Sequence, residues 1–225
     1  MTLYSGTSGF SYSGWKGVFY PAGVPASGFL AYYAERLNAV ELNGSFYRTP
    51  TPVAFAGWVA QTPPGFRFCL KAARGLTYSG AAFDKVGLAA QVGSRLAEMG
   101  DRLGPVLLQW PPTARPDPPL LDAVLEALGL AAAVEFRNPA WFSAEVTAVL
   151  QRRQAALVVT DEEKWPMAPV AATAPFAYYR LRRDYTPAEL APWAMRLREE
   201  AQAREVYAFF KHEPEAPGRA LTLLG

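Results

Sequence analysis

Short apolar runs recur along this chain, and most of them end in a charged or amide side chain. One run, 3–7, opens the chain, and seven more end in such a group: 39–43, 66–71, 106–109, 132–137, 157–161, 176–182 and 206–211. Continuous apolar runs of this length are typical of strands that are buried on both faces. The pattern therefore predicts eight strands, with helical stretches between most of them.

Capping signals mark where the predicted helices begin and end. Thr51 precedes a proline, Thr186 stands three residues before Glu189, and Gly129 follows an amphipathic stretch. The segment after Asp161 has an irregular pattern with room for a short helix only. The predicted helices are 28–37, 52–61, 84–99, 119–128, 143–154, 186–204 and a short last helix, 218–224.

Eight strands alternating with helices favour a closed parallel barrel over an open sheet of five or six strands. The predicted fold is an α/β protein, a (β/α)₈ TIM-like barrel, as a single domain over residues 1–225. A dinucleotide-binding fold is disfavoured because Gly6 and Gly9 are followed by no third glycine that opens a helix.

Composition narrows the class of protein further. Hydrophobic residues make up 51% of the 225 residues, and the formal net charge is only +2, so no strong field attracts nucleic acid or a membrane. The single cysteine, Cys69, excludes an internal disulfide and fits a reducing compartment. We see no secretory signal and no apolar segment of membrane-spanning length. We therefore expect a cytoplasmic protein with no membrane partner.

Three carboxylates at strand ends, Glu41, Glu135 and Asp161, are the candidates for acid–base catalysis. In a parallel barrel, strand ends meet around one cavity at the carboxyl face. Two carboxylates across such a cavity would suit a glycosidase, an isomerase or another proton-transfer enzyme. Glu135 lies two residues from Arg137 on the same strand face, so mutual neutralisation of these two charges is an equally open interpretation.

Cationic and amide side chains at the same strand ends predict a pocket for an anion. Lys71 is a candidate Schiff-base amine, proton donor or anion anchor. Gln109 and Asn43 would orient hydroxyl groups of the ligand. The candidate anion ligands are Arg137, Arg180, Arg182 and Lys211. A solvated basic rim is the alternative for the late cluster of cations.

Aromatic residues follow several strands, and Tyr47 and Trp141 are candidates for stacking on a sugar or a base. Packing of loops against each other is the alternative. No cofactor is evident from the sequence. One histidine and one cysteine cannot build a His- or Cys-rich zinc site, while a carboxylate-held divalent metal stays open without a spacing signature.

Several segments, taken in order, resemble the YecE-like family, known as domain of unknown function 72. They are GTSGF at 6–10, WKGVFYP at 15–21, VELNGSFY at 40–47, FCLK at 68–71, GPVLLQWP at 104–111, VEFR at 134–137 with Trp141, TD at 160–161 and YRL at 179–181. The resemblance covers nearly the whole chain. It implies a TIM-like barrel and no established activity, with a proposed relation to sugar isomerases.

Two positions depart from the family pattern. The family tends to place His-Gly after the seventh strand, where this chain has Arg182-Arg183. It favours an asparagine pair near the end of the eighth strand, where Lys211-His212 stand here. A ligand contact typical of the family near these two strands is therefore in question for this chain.

Three functional hypotheses follow. The first is a barrel enzyme with isomerase- or hydrolase-type acid–base chemistry on a small anionic, sugar-like or phosphorylated compound. The second is a nucleotide-binding or nucleic-acid-processing protein that uses the basic rim and the aromatic residues. The third is a barrel that binds a ligand without turnover.

Overall fold

The computed structural model describes residues 2–46, 50–78, 80, 83–165 and 167–225. Within these ranges, nine short strands alternate with eight α-helices for most of the chain. The strands are β1 Leu3–Thr7, β2 Ala39–Leu42, β3 Arg67–Leu70, β4 Val106–Trp110, β5 Ala132–Phe136, β6 Ala156–Leu157, β7 Val159–Asp161, β8 Phe176–Leu181 and β9 Glu205–Phe210. The helices are α1 Phe29–Ala34, α2 Pro52–Val59, α3 Arg74–Tyr78, α4 Lys85–Ala97, α5 Pro118–Leu128, α6 Ala144–Arg152, α7 Pro187–Ala203 and α8 Ala216–Leu224.

All pairs between these strands are parallel, which gives a mixed α/β fold. Hydrogen-bonded pairs among the described strands form three sheets, in the orders β1-β9-β8-β7, β2-β3 and β4-β5-β6, rather than one closed ring. Isolated parallel bridges continue the pairing between sheets, with Ser8 opposite Glu41 and Lys71 opposite Leu107. The strands therefore all run in one direction, and their carboxyl ends lie on the same side of the molecule.

The predicted elements match the observed ones closely, with two differences. The sixth predicted strand divides at Val158 into β6, which pairs with β5, and β7, which pairs with β8. The short helix α3 after the third strand was not expected. The part of the segment 162–175 that the structure describes contains no helix, as its irregular pattern indicated.

The capping signals act as predicted. The Thr51 hydroxyl accepts a hydrogen bond from the backbone of Ala54 at the start of α2. Thr186 and Glu189 form a reciprocal capping box at the start of α7. Gly129, with a positive φ of 62°, ends α5 in the left-handed conformation that glycine adopts without strain. These caps satisfy backbone groups that the helices leave unpaired.

Strand alternation sorts the apolar side chains into two separate clusters. The larger cluster packs the outer face of the strands, including Val40, Phe68 and Leu108, against the helices. The smaller one contains alternate residues of the strands: Tyr4, Ala39, Cys69, Leu107, Ala133, Ala156, Val158, Phe176, Tyr178, Tyr207 and Phe209. Because side chains two apart share a face, this inner cluster fixes which strand-end residues stand above it.

Candidate functional site

On six strands, a polar residue follows a residue of the inner apolar cluster by two positions along the chain. Together these residues form a polar layer above that cluster. Ala39 is followed in this way by Glu41, Ala133 by Glu135, and Tyr178 by Arg180. Cys69 precedes Lys71, Leu107 precedes Gln109, and Val158 precedes Thr160 in the same register. The sequence thereby carries polar groups from separate strands to one face, at the carboxyl ends of the strands.

Arg180 lies at the centre of this layer and is 2% exposed. Its Nε donates to Glu41 Oε2 at 3.0 Å, and its Nη2 donates to Glu41 Oε1 at 2.8 Å. Its Nη1 donates to Glu135 Oε2 at 2.5 Å. Glu41 and Glu135 are 0% and 2% exposed. Each guanidinium nitrogen therefore already has a carboxylate partner, and we name this buried cluster the Glu41–Arg180–Glu135 network.

Further hydrogen bonds hold the network in place. Ser8 Oγ donates to Glu41 Oε1 at 2.7 Å, and the hydroxyl of Tyr178 donates to Glu41 Oε2 at 2.9 Å. Asn43 Nδ2 makes a longer contact of 3.4 Å with Glu41 Oε1. On the other side, Arg137 Nε donates to Glu135 Oε1 at 3.2 Å. Neither carboxylate is left with an unpartnered oxygen, which is the condition for burying charge at tolerable cost.

The charges in the network set their own protonation states. Burial alone would raise the pKa of Glu41, but the Arg180 guanidinium outweighs it and lowers that pKa to about 2. The pKa of Glu135 is lowered in the same way, by Arg180 and Arg137 against its burial. The two carboxylates in turn raise the pKa of Arg180 despite its desolvation. All three groups are therefore charged at neutral pH, and the glutamates are poor proton carriers there.

Two more cations border the network. Lys71 Nζ donates to Gln109 Oε1 at 2.7 Å, and burial, followed by repulsion from Arg180, lowers the pKa of Lys71 to about 8. Arg182 Nη1 donates to Ser8 Oγ at 3.0 Å, and the same two causes lower the pKa of Arg182 to about 10. Both groups are mainly protonated at pH 7, so together they carry more positive charge than the net −1 of the network neutralises.

Two buried side-chain atoms in this layer lack hydrogen-bond partners among the described residues. Gln109 Nε2 and Thr160 Oγ1 are both inaccessible, on residues that are 3% and 6% exposed. The Gln109 amide does contribute to lowering the pKa of Glu135, so it lies near that carboxylate but outside hydrogen-bonding geometry. Buried polar groups are nearly always paired in folded proteins. These two atoms are therefore exceptions to that rule in the part of the chain that the structure describes.

An open cleft of about 330 Å³ lies over Arg182, in the size range of small-molecule sites. Its other lining residues carry charges of both signs and include Glu162, Lys164, Arg183 and Lys211. Lys211 pairs with Glu213 at 2.8 Å and is partly exposed at the rim. Arg219, at the start of α8, pairs with Asp184 at 3.1 Å. Arg183, Lys211 and Arg219 thus each have a carboxylate partner.

Asp161 does not join the predicted carboxylates. Arg183 holds it through two hydrogen bonds of 2.9 and 3.0 Å, and the Tyr185 hydroxyl donates to it at 2.8 Å. The prediction that all strand-end charges converge is therefore wrong for this residue. The reason is that side chains alternate between the two faces of a strand. Thr160 occupies the inner position of β7, so Asp161 points to the opposite face.

Trp141 also lies away from the polar layer. Its ring stacks on Phe136 with the centroids 4.5 Å apart, and its indole N–H donates to the Ala114 carbonyl at 3.1 Å. With 1% exposure, both the ring face and the donor are used in packing. The other aromatic candidate, Tyr47, falls outside the described residues.

Sequence reasoning missed three groups that the structure places at the site: Ser8, Tyr178 and Thr160. Trp165, one of the tryptophans that follow a strand in the sequence, lies there as well. Ser8 and Tyr178 bond to Glu41, and the Trp165 ring lies 5.3 Å from the Arg137 guanidinium. The alternation of side chains along the strands would have identified Thr160 and Tyr178 as residues of the inner face. Its position after a strand marks Trp165 in the sequence, but its contact with Arg137 depends on the path of an irregular segment.

Among the described residues, no group of three His, Cys, Asp or Glu side chains is arranged to hold a metal ion. The described part of the chain also includes no helix with the length and apolarity needed to cross a membrane.

The fold and sequence are similar to those of solved proteins of one family. A protein from Thermotoga maritima MSB8 is 28% identical with a TM-score of 0.81, over 100% of this chain and 97% of that one. A protein from Enterococcus faecalis V583 matches in two crystal structures, at 21% and 22% identity with TM-scores of 0.76 and 0.78, over 98% and 99% of this chain and 95% and 94% of that one. All three are described as DUF72 family proteins. No curated protein matches this chain.

The family model described as "Protein of unknown function DUF72" matches residues 4–224. This match spans almost the entire sequence and confirms the resemblance seen in its motifs. The chain therefore belongs to the DUF72 family.

Proposed function

We propose that the polar layer binds a small anionic, sugar-like or phosphorylated compound, and that acid–base chemistry of the isomerase or hydrolase type acts on it there. The observation that carries this proposal is the charge balance. Four cations, Lys71, Arg137, Arg180 and Arg182, face the two carboxylates Glu41 and Glu135. Adding Glu162, 3.7 Å from Arg137, still leaves one surplus positive charge.

The geometry distributes the proposed roles unevenly. Arg180 has all three guanidinium nitrogens bonded to carboxylates, so it positions Glu41 and Glu135 rather than holding the anion. The anion is assigned to Arg182, Arg137 and Lys71. Since both glutamates stay ionised, Lys71 is the group best suited to carry a proton near neutral pH, where an acid–base catalyst is most effective. Gln109 and Thr160 supply hydrogen bonds to ligand oxygens.

We further propose that the strands close into one eight-stranded barrel over residues 1–225, with β6 and β7 as two parts of one strand. Support comes from the parallel bridges of Ser8 with Glu41 and of Lys71 with Leu107, which extend pairing from β1 to β2 and from β3 to β4. The pairing of β1 with β9 provides the closing edge. In such a barrel the carboxyl ends of the strands surround one mouth, which fits the polar layer.

The charge pattern favours a small ligand over a nucleic acid. A backbone-binding surface needs a row of uncommitted cations, whereas Arg183, Lys211 and Arg219 at the rim are paired with carboxylates. The surplus positive charge lies instead on the cations that border the buried network, Lys71, Arg137 and Arg182. A ligand-binding protein without turnover uses the same site, and only an activity assay distinguishes it from an enzyme.

Calorimetric titrations test this proposal. The probes are inorganic phosphate, a hexose phosphate, the matching neutral hexose and a single-stranded oligonucleotide, each at low and high salt. The hexose phosphate should bind more tightly than the neutral hexose, with a shallow salt dependence. No binding of either phosphate compound, or tight oligonucleotide binding that weakens steeply with salt, would overturn it. Binding without conversion in a product assay would reduce the proposal to a binding protein.

A further inference from the structure

Lys71 and Gln109 together form an arrangement that goes beyond anion binding. Lys71 Nζ lies 2.7 Å from Gln109 Oε1 and belongs to the inner face of the strands. Burial and Arg180 lower the pKa of Lys71 to about 8, so roughly a tenth of the amine is neutral at pH 7. A neutral amine is a nucleophile, and amines near a second cation in partly desolvated pockets react in this way in other enzymes.

The Gln109 amide supplies an oxygen-binding group beside this amine. Its Oε1 accepts from Lys71 and lies 3.4 Å from the Tyr78 hydroxyl, which fixes the orientation of the amide plane. Its Nε2, on the same planar group, is buried and has no hydrogen-bond acceptor in the part of the chain that the structure describes. A buried donor next to a nucleophile is suited to stabilising negative charge that develops on an oxygen.

We propose that Lys71 forms an imine with a ligand that carries a carbonyl group as well as an anionic group, such as a keto or aldehydo sugar phosphate. This inference rests on the function proposed above and names its substrate class. The lone pair of Nζ forms the C–N bond, and the carbonyl π electrons move to the oxygen beside Gln109 Nε2. A proton passes from nitrogen to oxygen. The second proton of the nitrogen then joins the hydroxyl group, so that one water leaves as the C–O bond breaks and the C=N bond forms.

Trapping with sodium borohydride tests the imine directly. The full-length protein is incubated with dihydroxyacetone phosphate, pyruvate, glyceraldehyde 3-phosphate or uncharged hydroxyacetone, reduced, and analysed by intact mass and peptide mapping. The chain has five lysines, so the other four report nonspecific reaction. We expect one added ligand mass, located on Lys71, with at least one of the anionic compounds and at least tenfold less with hydroxyacetone.

Two variants separate the outcomes. Lys71→Arg keeps the positive charge but cannot form an imine, so it should lose the adduct. Lys85→Arg, on the outer helix α4, should keep it. A protein that binds an anionic carbonyl compound by calorimetry yet gives no adduct on Lys71 would refute the imine and leave the proposed function standing. Adducts spread equally over several lysines would also refute the imine. If none of the anionic compounds binds, the proposed function itself is refuted.

Discussion

Arg180 and Glu41 are 139 residues apart in the chain, and they form a two-bond fork between β8 and β2 at 3.0 and 2.8 Å. The third guanidinium nitrogen bonds to Glu135 on β5. One buried cation thus links three strands that are distant in sequence. The network has a net charge of −1, and its stability depends on keeping its one cation.

We expect Arg180→Met to be strongly destabilising, by about 3–5 kcal/mol, because it leaves two carboxylates buried without a cation. Glu135→Gln should cost less, about 1–3 kcal/mol, because it leaves a neutral pair of Arg180 and Glu41. Urea denaturation followed by circular dichroism measures both. Arg36→Met, which removes an exposed ion pair with Glu35, is the control and should change little. Equal stability of wild type and Arg180→Met would refute the structural role of the network.

The stability should also depend on the charge of Glu41 in acid. Its folded pKa is about 2, against a usual value of 4.5, so the folded state favours the ionised form. This contribution, on the order of 3 kcal/mol, is present above about pH 4.5 and is lost as the pH falls towards 2. The unfolding free energies of wild type and Glu41→Gln should therefore differ at pH 7 and approach each other in that window. A constant difference from pH 7 to pH 2.5 would contradict the assigned charge state.

Lys71 should react with amine reagents at lower pH than an ordinary lysine. Burial and Arg180 lower its pKa to about 8, and only the neutral amine is nucleophilic. Competitive acetylation with isotope-labelled acetic anhydride, read by peptide mass spectrometry, should give a midpoint near pH 8 for Lys71. An unstructured peptide with a single lysine, added to the same sample, is the reference and should show a midpoint above pH 10. Coincident midpoints for the two lysines would contradict the account.

Arg182 and Arg183 are adjacent in sequence but should differ in function. Arg182 bonds to Ser8 beside the network, whereas Arg183 bonds to Asp161 on the other face. Arg182→Gln should weaken binding of a hexose phosphate by about tenfold, or about 1.4 kcal/mol. Arg183→Gln should weaken binding much less, because Asp161 already holds this guanidinium through two hydrogen bonds, although Arg183 also lines the cleft. Calorimetry on both variants makes the comparison, and a reversed order of effects would place the anion on the outer face.

The sequence predicted where the strands lie and that their polar ends meet, because apolar runs and caps are local signals. It also placed Glu41, Lys71, Gln109, Glu135 and Arg180 among the strand-end groups, and the structure brings these five together. The pairing within the group was beyond prediction, since it depends on which strands face each other across the interior. Asp161 was misplaced because it was chosen only for its position at a strand end. The alternation of side chains along the strand puts Thr160 on the inner face instead.

The role assigned to Arg180 changed for the same reason. From sequence it was one cation among several that could hold an anion. In the structure its guanidinium nitrogens are occupied by Glu41 and Glu135. Arg182, two residues further along the same face, is one of the cations that line the cleft. The sequence left open whether Arg137 neutralises Glu135. In the structure Arg137 does donate to that carboxylate, but Arg180 donates to it as well.

A crystal structure of the protein soaked in a hexose phosphate tests the central claim most directly. The account predicts the phosphate within hydrogen-bonding distance of at least one of Lys71, Arg137 and Arg182, with the Glu41–Arg180–Glu135 network intact beneath it. A hexose phosphate bound only at the outer rim, or a divalent cation bound by the two glutamates with no anion in the polar layer, would contradict it.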